Sequence, residues 1–263
     1  MLNILDMQIP ELQGQIVPND FAVYTACDAE YFDQFAQVFC VSAKQVAKVS
    51  LHLHLFNPKP DQIKWCQQHG IGTTWETVDH SAFGKAATNL MAMGGEPLRR
   101  TQVAVAKGND LSIQQRMAKT YYACARFVRL AEVHRQCPTV FACDVDAVVR
   151  KPIPKLGTEK DFYIHQIFGS KARFLAGGLY LNSNATGFVD AYASVLREKI
   201  SQDILYWSID QDVLDPLVPR YNYGQLPEIM IDWNMRHDSV IWTAKGARKS
   251  NEQFISAQRQ YTV

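Results

Sequence analysis

Several absences narrow the field before any motif is read. No stretch is apolar over the length a bilayer-spanning helix needs, and 27 basic against 26 acidic residues leave no charge excess to attract nucleic acid or a membrane surface. The six cysteines (Cys27, Cys40, Cys66, Cys124, Cys137, Cys143) include no CxxC pair and no zinc-like spacing. Most lie in apolar segments, as small buried thiols do in a reducing compartment. The opening "MLNILDMQIPELQGQ" has Asp6, Pro10 and Glu11 where a signal peptide needs an apolar core. There is no internal repeat and no low-complexity tract. The expectation is a cytoplasmic protein with no transmembrane segment and no nucleic-acid partner. Its oligomeric state is open.

What is present is enough for one sizeable core: 263 residues, 47% of them hydrophobic. Residues 21–26 ("FAVYTA") read as a buried strand, and 29–48 as a helix with Tyr31, Phe35, Val38 and Phe39 on one side. "VSLHLHLF" alternates and predicts a second strand with His52 and His54 on a polar face. A short helix follows, capped by Gly70, then a third strand at "TTWETV". Residues 80–110 are Gly-rich and read as irregular and only partly helical. The strongest helix carries Ile113, Met117, Tyr121, Cys124, Val128 and Ala131 as one apolar stripe behind a Ser112 cap. Arg126 falls opposite that stripe, where an ordinary solvated arginine would sit. "PTVFAC" is the fourth strand. Beyond it the pattern predicts strands near 161–167, 173–182 and 239–243 and helices near 186–199 and 210–217. Strands alternating with helices through short connections predict an α/β fold whose sheet starts parallel.

The fourth strand runs into "FACDVDAVV", with Asp144 and Asp146 at its C-terminal end. Open α/β sheets place ligands beyond the carboxyl ends of their strands, and a core strand tolerates no unpaired carboxylate. Two carboxylates spaced D-x-D on a turn can both reach one hard divalent cation, Mg²⁺ or Mn²⁺, that also holds phosphates. The plain alternative is a capped strand end with solvated carboxylates. Two motif families contain such a sequence: the haloacid-dehalogenase phosphatases and the nucleotide-sugar glycosyltransferases. The phosphatase motif opens its domain, whereas half of this chain comes first, and no GDxxxD pair follows.

Taken together, four segments resemble the GT-A-fold glycosyltransferases, particularly the retaining family-8 group of bacterial galactosyltransferases and glycogenin. "VYTACDAEYF" is similar to that group's first strand and turn, "YYACARFVRL" to its arginine-bearing helix, "FLAGGLYLNS" to its Asn-Ala-Gly strand and "SIDQDVLD" to its Asp-Gln-Asp segment. The resemblance runs from about 21 to 249. It implies a Rossmann-like, mixed but mostly parallel sheet flanked by helices, one domain over 1–263, with a nucleotide-binding half at about 20–146 and a donor-sugar and acceptor half at about 147–263. It implies a nucleoside-diphosphate sugar, UDP-linked by preference, as donor, a glycan or other hydroxyl as acceptor, and Mn²⁺ or Mg²⁺ on Asp144 and Asp146. Ala26, Asp28 and Tyr31 would then meet the nucleobase, and Asp144 the ribose. Arg126, Lys245, Arg248 and Lys249 would face the diphosphate, and Gly177 and Gly178 the donor sugar. Asp210 and Gln211 would stand at the sugar's reactive face. Two departures stand out. Leu175 replaces the group's asparagine, and in "VIWTAKGARKSN" Trp242 stands in for the histidine that is its third metal ligand. The metal would then rest on the aspartates, phosphates and water, or take His237, or be lost; the first is preferred. A catalytically silent relative that only binds a nucleotide sugar or glycan is the competing reading.

Overall fold

The order of apolar runs along the chain translates directly into a mixed sheet with helices on both faces, seen in a computed structural model that describes residues 8–107, 112–167 and 174–262. The strands are β1 (Gln13–Gln15), β2 (Ala22–Asp28), β3 (Ser50–Phe56), β4 (Gly72–Glu76), β5 (Val140–Cys143), β6 (Ala147–Val149), β7 (Phe162–Gln166), β8 (Phe174–Leu181), β9 (Tyr223–Gln225), β10 (Ile231–Asp232) and β11 (Ile241–Thr243). Eight of them form the main sheet in the order β1-β4-β3-β2-β5-β8-β7-β9. Only β1 and β8 run against the rest, so the sheet is mostly parallel, as expected. The sheet passes without a break from the first half of the chain into the second, through the β5–β8 pair. β10, β11 and β6 form a small second sheet.

Among the helices, α1 (Ala29–Tyr31) and α2 (Gln37–Ser42) belong to one wound stretch, interrupted by wider turns at Phe32–Ala36 and continued by Ala43–Ala47. Asp28 starts it, its carboxylate accepting the Tyr31 N–H at 2.8 Å. α3 (Pro60–Gln68) is followed by Gly70 in the left-handed region, as the sequence predicts. The region expected to be irregular is instead two 12-residue helices, α4 (Ala82–Met93) and α5 (Gly95–Ala106). The glycines that suggested a loop are concentrated at their junction, where Gly94 and Gly95 both take positive φ (62° and 61°). Residues 108–111, at the end of that expectation, and residue 173 lie outside the described residues. α6 (Ile113–His134) is the predicted long helix, and Ser112 caps it with Gln115 in a reciprocal box. α7 (Thr186–Ser201), α8 (Ile209–Leu217) and α9 (Glu252–Arg259) complete the set. No helix among the described residues is long and apolar enough to cross a membrane.

One core fills the face under α4, α6, α7 and α8, the other the face under the α1–α2 stretch. β3 lies between β2 and β4 with both faces covered, so His52 and His54 are not a polar face at all: they are 3% and 0% exposed. Both rings hydrogen-bond the Thr74 hydroxyl, at 2.9 and 3.0 Å. Burial lowers both imidazoles from their usual value, His52 to about 3.

Candidate active site

Where β5 ends, the chain leaves the main sheet through Asp144-Val145-Asp146 and enters β6 of the small one. Val145 is buried in the core beside Phe141 and Cys143, and this anchor pins the turn between the two carboxylates. The spacing D-x-D is thus a hinge between sheets, with its apolar residue inward. A Cβ on Gly177 of the neighbouring β8 would stand 2.8 Å from an Asp144 carboxylate oxygen, so glycine is what lets that side chain lie across the strand.

Asp144 is ion-paired to Arg126 of α6. The other terminal nitrogen of that guanidinium is 3.7 Å from Asp210 of α8. Arg126 therefore points along the sheet end rather than into solvent, the correction to its helical-wheel placement: α6 is buried on more than one side. The Tyr24 hydroxyl donates to the Arg126 carbonyl at 2.7 Å and ties this turn of α6 to β2. Asp146 accepts from the Lys249 ammonium at 2.9 Å, and the same ammonium donates to the Tyr31 hydroxyl at 2.7 Å. That charge also lies 4.3 Å and 4.7 Å from the ring centres of Tyr31 and Phe35. Five separate segments thereby meet in one chain of contacts: Tyr31, Lys249, Asp146, Asp144, Arg126 and Asp210.

The charges are not at ease. Burial pushes the carboxyls of Asp146 and Asp210 up from their ordinary value, and Asp144 adds to both. Lys249 pulls the first back and Arg126 the second, without reversing the direction. Burial works against the cations too, yet the carboxylates beside Arg126 and Lys249 outweigh it and hold both firmly protonated.

The remaining expected residues divide. Asp28 caps the helix that carries Tyr31, so it acts on the cluster through position, and Lys119 on α6 is the cation whose field it feels. Ala26 pairs with His54 within the sheet. Gly178 faces away from the cluster: a Cβ there would meet Ile231 at 2.3 Å, so it is a packing glycine, unlike Gly177. Lys245 and Arg248 are exposed, though the Lys245 charge reaches Asp210. Asp210 does not cap α8. Ser208 stands at the N-cap position in a left-handed conformation (φ 72°), without a side-chain capping bond, with Asp210 in the first turn and the Gln211 N–H bonded to the Ser208 carbonyl at 3.0 Å. The Gln211 side chain has no hydrogen bond to the cluster among the described residues.

The third-ligand position also moves. Trp242 pairs with Val148 in register and packs with Val148, Met235 and Phe254, its indole N–H donating to the Arg236 carbonyl at 2.6 Å. Its neighbour Thr243 pairs with Ala147, and its hydroxyl donates to the Asp146 carbonyl at 3.2 Å. Counting the motif back from Gly246 and Lys249 also lands on Thr243. The residue beside the aspartates is thus a threonine, and Trp242 belongs to the small core behind it. His237 is exposed on the connection before β11. Sequence reasoning missed Thr243, and also Lys119, whose ammonium lies 5.5 Å from the Tyr31 ring centre. Its position, two helical turns before Arg126, was the available signal.

A divalent cation does not fit this donor set as it stands. Asp144 is engaged by a guanidinium and Asp146 by an ammonium, and the position of the third ligand holds a hydroxyl that is already donating. Among the described residues no three His, Cys, Asp or Glu side chains converge on a point that could hold a metal.

No sequence-family model matches the chain, and no curated protein does. Solved structures do. The galactosyltransferase LgtC, determined with donor and acceptor sugar analogues, superposes with a TM-score of 0.52 at 14% identity, over 92% of this chain and 96% of that one. The glycosyltransferase GlyE of Streptococcus pneumoniae TIGR4 gives 0.53 at 15% identity over 91% of this chain. This chain spans 59% of the length of GlyE. The mostly parallel eight-stranded sheet flanked by helices is accordingly the GT-A fold that these glycosyltransferases share.

Proposed function

We propose that the protein transfers a sugar from a nucleoside-diphosphate sugar, UDP-linked by preference, to a hydroxyl acceptor, and that the donor lies along the C-terminal ends of β2 and β5 and the first half of the antiparallel β8. The observation that carries this reading is the contact chain from Tyr31 through Lys249, Asp146, Asp144 and Arg126 to Asp210, which places an aromatic ring at one end, cations in the middle and a buried carboxylate at the other. That order matches a donor read from base through diphosphate to sugar. The fold likeness to LgtC and GlyE supports it.

In the reaction, the bond between the anomeric carbon and the diphosphate oxygen breaks, its electron pair leaving with the diphosphate. The acceptor oxygen bonds the same carbon, and the acceptor's proton goes to the departing group. Arg126 and Lys249, fixed before the substrate arrives, face the negative charge that develops on the diphosphate, and Lys245 and Lys119 add to that field. Asp210 keeps a buried carboxyl, with Arg126 at 3.7 Å, where positive charge appears on the sugar ring. Gly177 lets the Asp144 side chain lie across β8, at the edge where the sugar would sit. The family resemblance favours retention of anomeric configuration, with the acceptor entering on the leaving-group side. Mn²⁺ or Mg²⁺ on Asp144 and Asp146 is the arrangement that resemblance implies. In this structure both carboxylates are paired instead with Arg126 and Lys249.

The reading is tested by incubating the protein with a panel of UDP- and GDP-sugars, with a broad acceptor mixture, and measuring released nucleoside diphosphate. Release from one donor class, reduced at least a hundredfold in Asp144→Asn, is the expected result. Binding of a donor without release in the wild type would favour the silent, binding-only relative. Phosphate release from a generic aryl phosphate in place of donor turnover would revive the phosphatase reading.

A further inference from the structure

Lys249 is held more firmly than a surface lysine near an acid has reason to be. Its ammonium touches Asp146 and the Tyr31 hydroxyl and lies over two aromatic rings, and its side chain is 24% exposed. Asp144, the other half of the D-x-D pair, is neutralised from the opposite side by Arg126, a helix residue anchored through Tyr24. Thr243, where a third ligand would have to stand, spends its hydroxyl on the Asp146 carbonyl. The three positions that would form a metal site are thus all committed to protein partners. Asp144 and Asp146 each have a cation of the protein beside them, and Lys119 stands close by over the Tyr31 ring.

We propose that Lys249 occupies the place of the divalent cation and that the protein binds the diphosphate of its donor without metal, through the ammonium of Lys249 and the guanidinium of Arg126. Asp146 and the Tyr31 hydroxyl then serve to orient that ammonium, and Thr243 holds the backbone that presents Asp146. The diphosphate takes the outward-facing N–H donors of the two cations, each a charge-assisted bond. This inference rests on the donor-site reading above, and its test separates the two.

The experiment is calorimetric titration of UDP and of GDP into the full chain, once in EDTA and once in excess Mn²⁺, for the wild type and for Lys249→Met, which keeps the stem over the rings and removes the charge. The expected result is binding of one nucleotide with the same affinity, within about twofold, in EDTA and in Mn²⁺. In Lys249→Met the metal-free affinity falls about 10- to 100-fold, the size of one lost bond to a charged group, at an unchanged melting temperature. Binding by the wild type in Mn²⁺ only would overturn the proposal and leave the donor site standing. An unchanged metal-free affinity in Lys249→Met would also overturn it. No binding of either nucleotide under either condition would overturn both the proposal and the donor site. If Lys249→Met melts early, Lys249→Gln, which retains a hydrogen-bond donor, provides the same comparison.

Discussion

Two groups of charged side chains lie on the two sides of β2, and they behave in opposite ways. Beneath β3 and β4, Glu76 is fully enclosed, accepts from the Tyr121 hydroxyl at 2.6 Å and from Arg129 at 2.6–2.7 Å, and has His54 at 3.6 Å. Burial alone would raise its carboxyl, but those partners outweigh it and hold it below the usual range. Beyond the end of β5, Asp146 and, from α8, Asp210 are raised instead: burial is the largest cause, Asp144 adds to it, and the cation beside each does not offset it. The first group is satisfied and sealed, so it belongs to the fold. The second holds charge that its own partners do not settle, at the place where a substrate's charges can settle it. Burial is common to both groups; what differs is how many protein partners each carboxylate has.

The comparison can be broken in several ways, and the largest effect is expected in the sealed group. Glu76→Ala takes the acceptor from the buried Tyr121 hydroxyl and from the Arg129 Nε–H, leaving Arg129 with Glu132 and the Pro10 carbonyl, and should cost about 3–5 kcal/mol in a urea unfolding curve. A loss below about 1 kcal/mol would mean that the cluster is not sealed. The two adjacent glycines sharpen the contrast next. Gly178→Ala pushes a methyl into Ile231 and should cost about 1–3 kcal/mol of stability, leaving donor affinity as it was. Gly177→Ala pushes against the Asp144 side chain, and should cost less stability while weakening donor binding about tenfold. Equal effects in the two variants would deny that they face different regions.

Acid should act on the sealed side. His52 and His54 have lowered values in the folded state, His52 about 3, so below about 6.5 the unfolded chain binds protons that the folded one refuses. Stability is therefore full above about pH 6.5 and declines as pH falls, by about 1.4 kcal/mol at pH 5.5 from His52 alone. A His52→Gln variant with the same acid sensitivity as the wild type would contradict this. The smallest stability effect is expected from Asp210→Asn, which removes a charge that burial disfavours and should leave the melting temperature unchanged or slightly raised.

How much of this was legible beforehand follows the same division. β2, β3, β5 and the long helix α6 were readable because each is a clean apolar or periodic run, and the aspartates stood out because two carboxylates ended such a run. Arg126 was placed on the solvent side because a helical wheel assumes one buried stripe, while α6 is buried on several sides. His52 and His54 were read as outward for the same reason, since alternation does not say whether a second layer covers the polar face. The α4–α5 pair was hidden by the glycines of a single sharp junction. Trp242 was taken for the third-ligand position although the spacing to Gly246 and Lys249 gives Thr243, which the β6–β11 register confirms as the neighbour of the turn. Lys249 was grouped with Lys245 and Arg248 by composition, and only the fold shows that it alone of the three reaches an aspartate of the turn.

The most direct test of the central claim, that the unsettled carboxylates at the end of β5 serve a substrate and not the fold, is to measure stability and donor turnover together in Asp210→Asn. The account predicts a melting temperature equal to or above that of the wild type, with release of nucleoside diphosphate lowered about a hundredfold or more. A variant that melts well below the wild type while its turnover is unchanged would contradict it, because Asp210 would then be holding the protein together and doing nothing to the sugar.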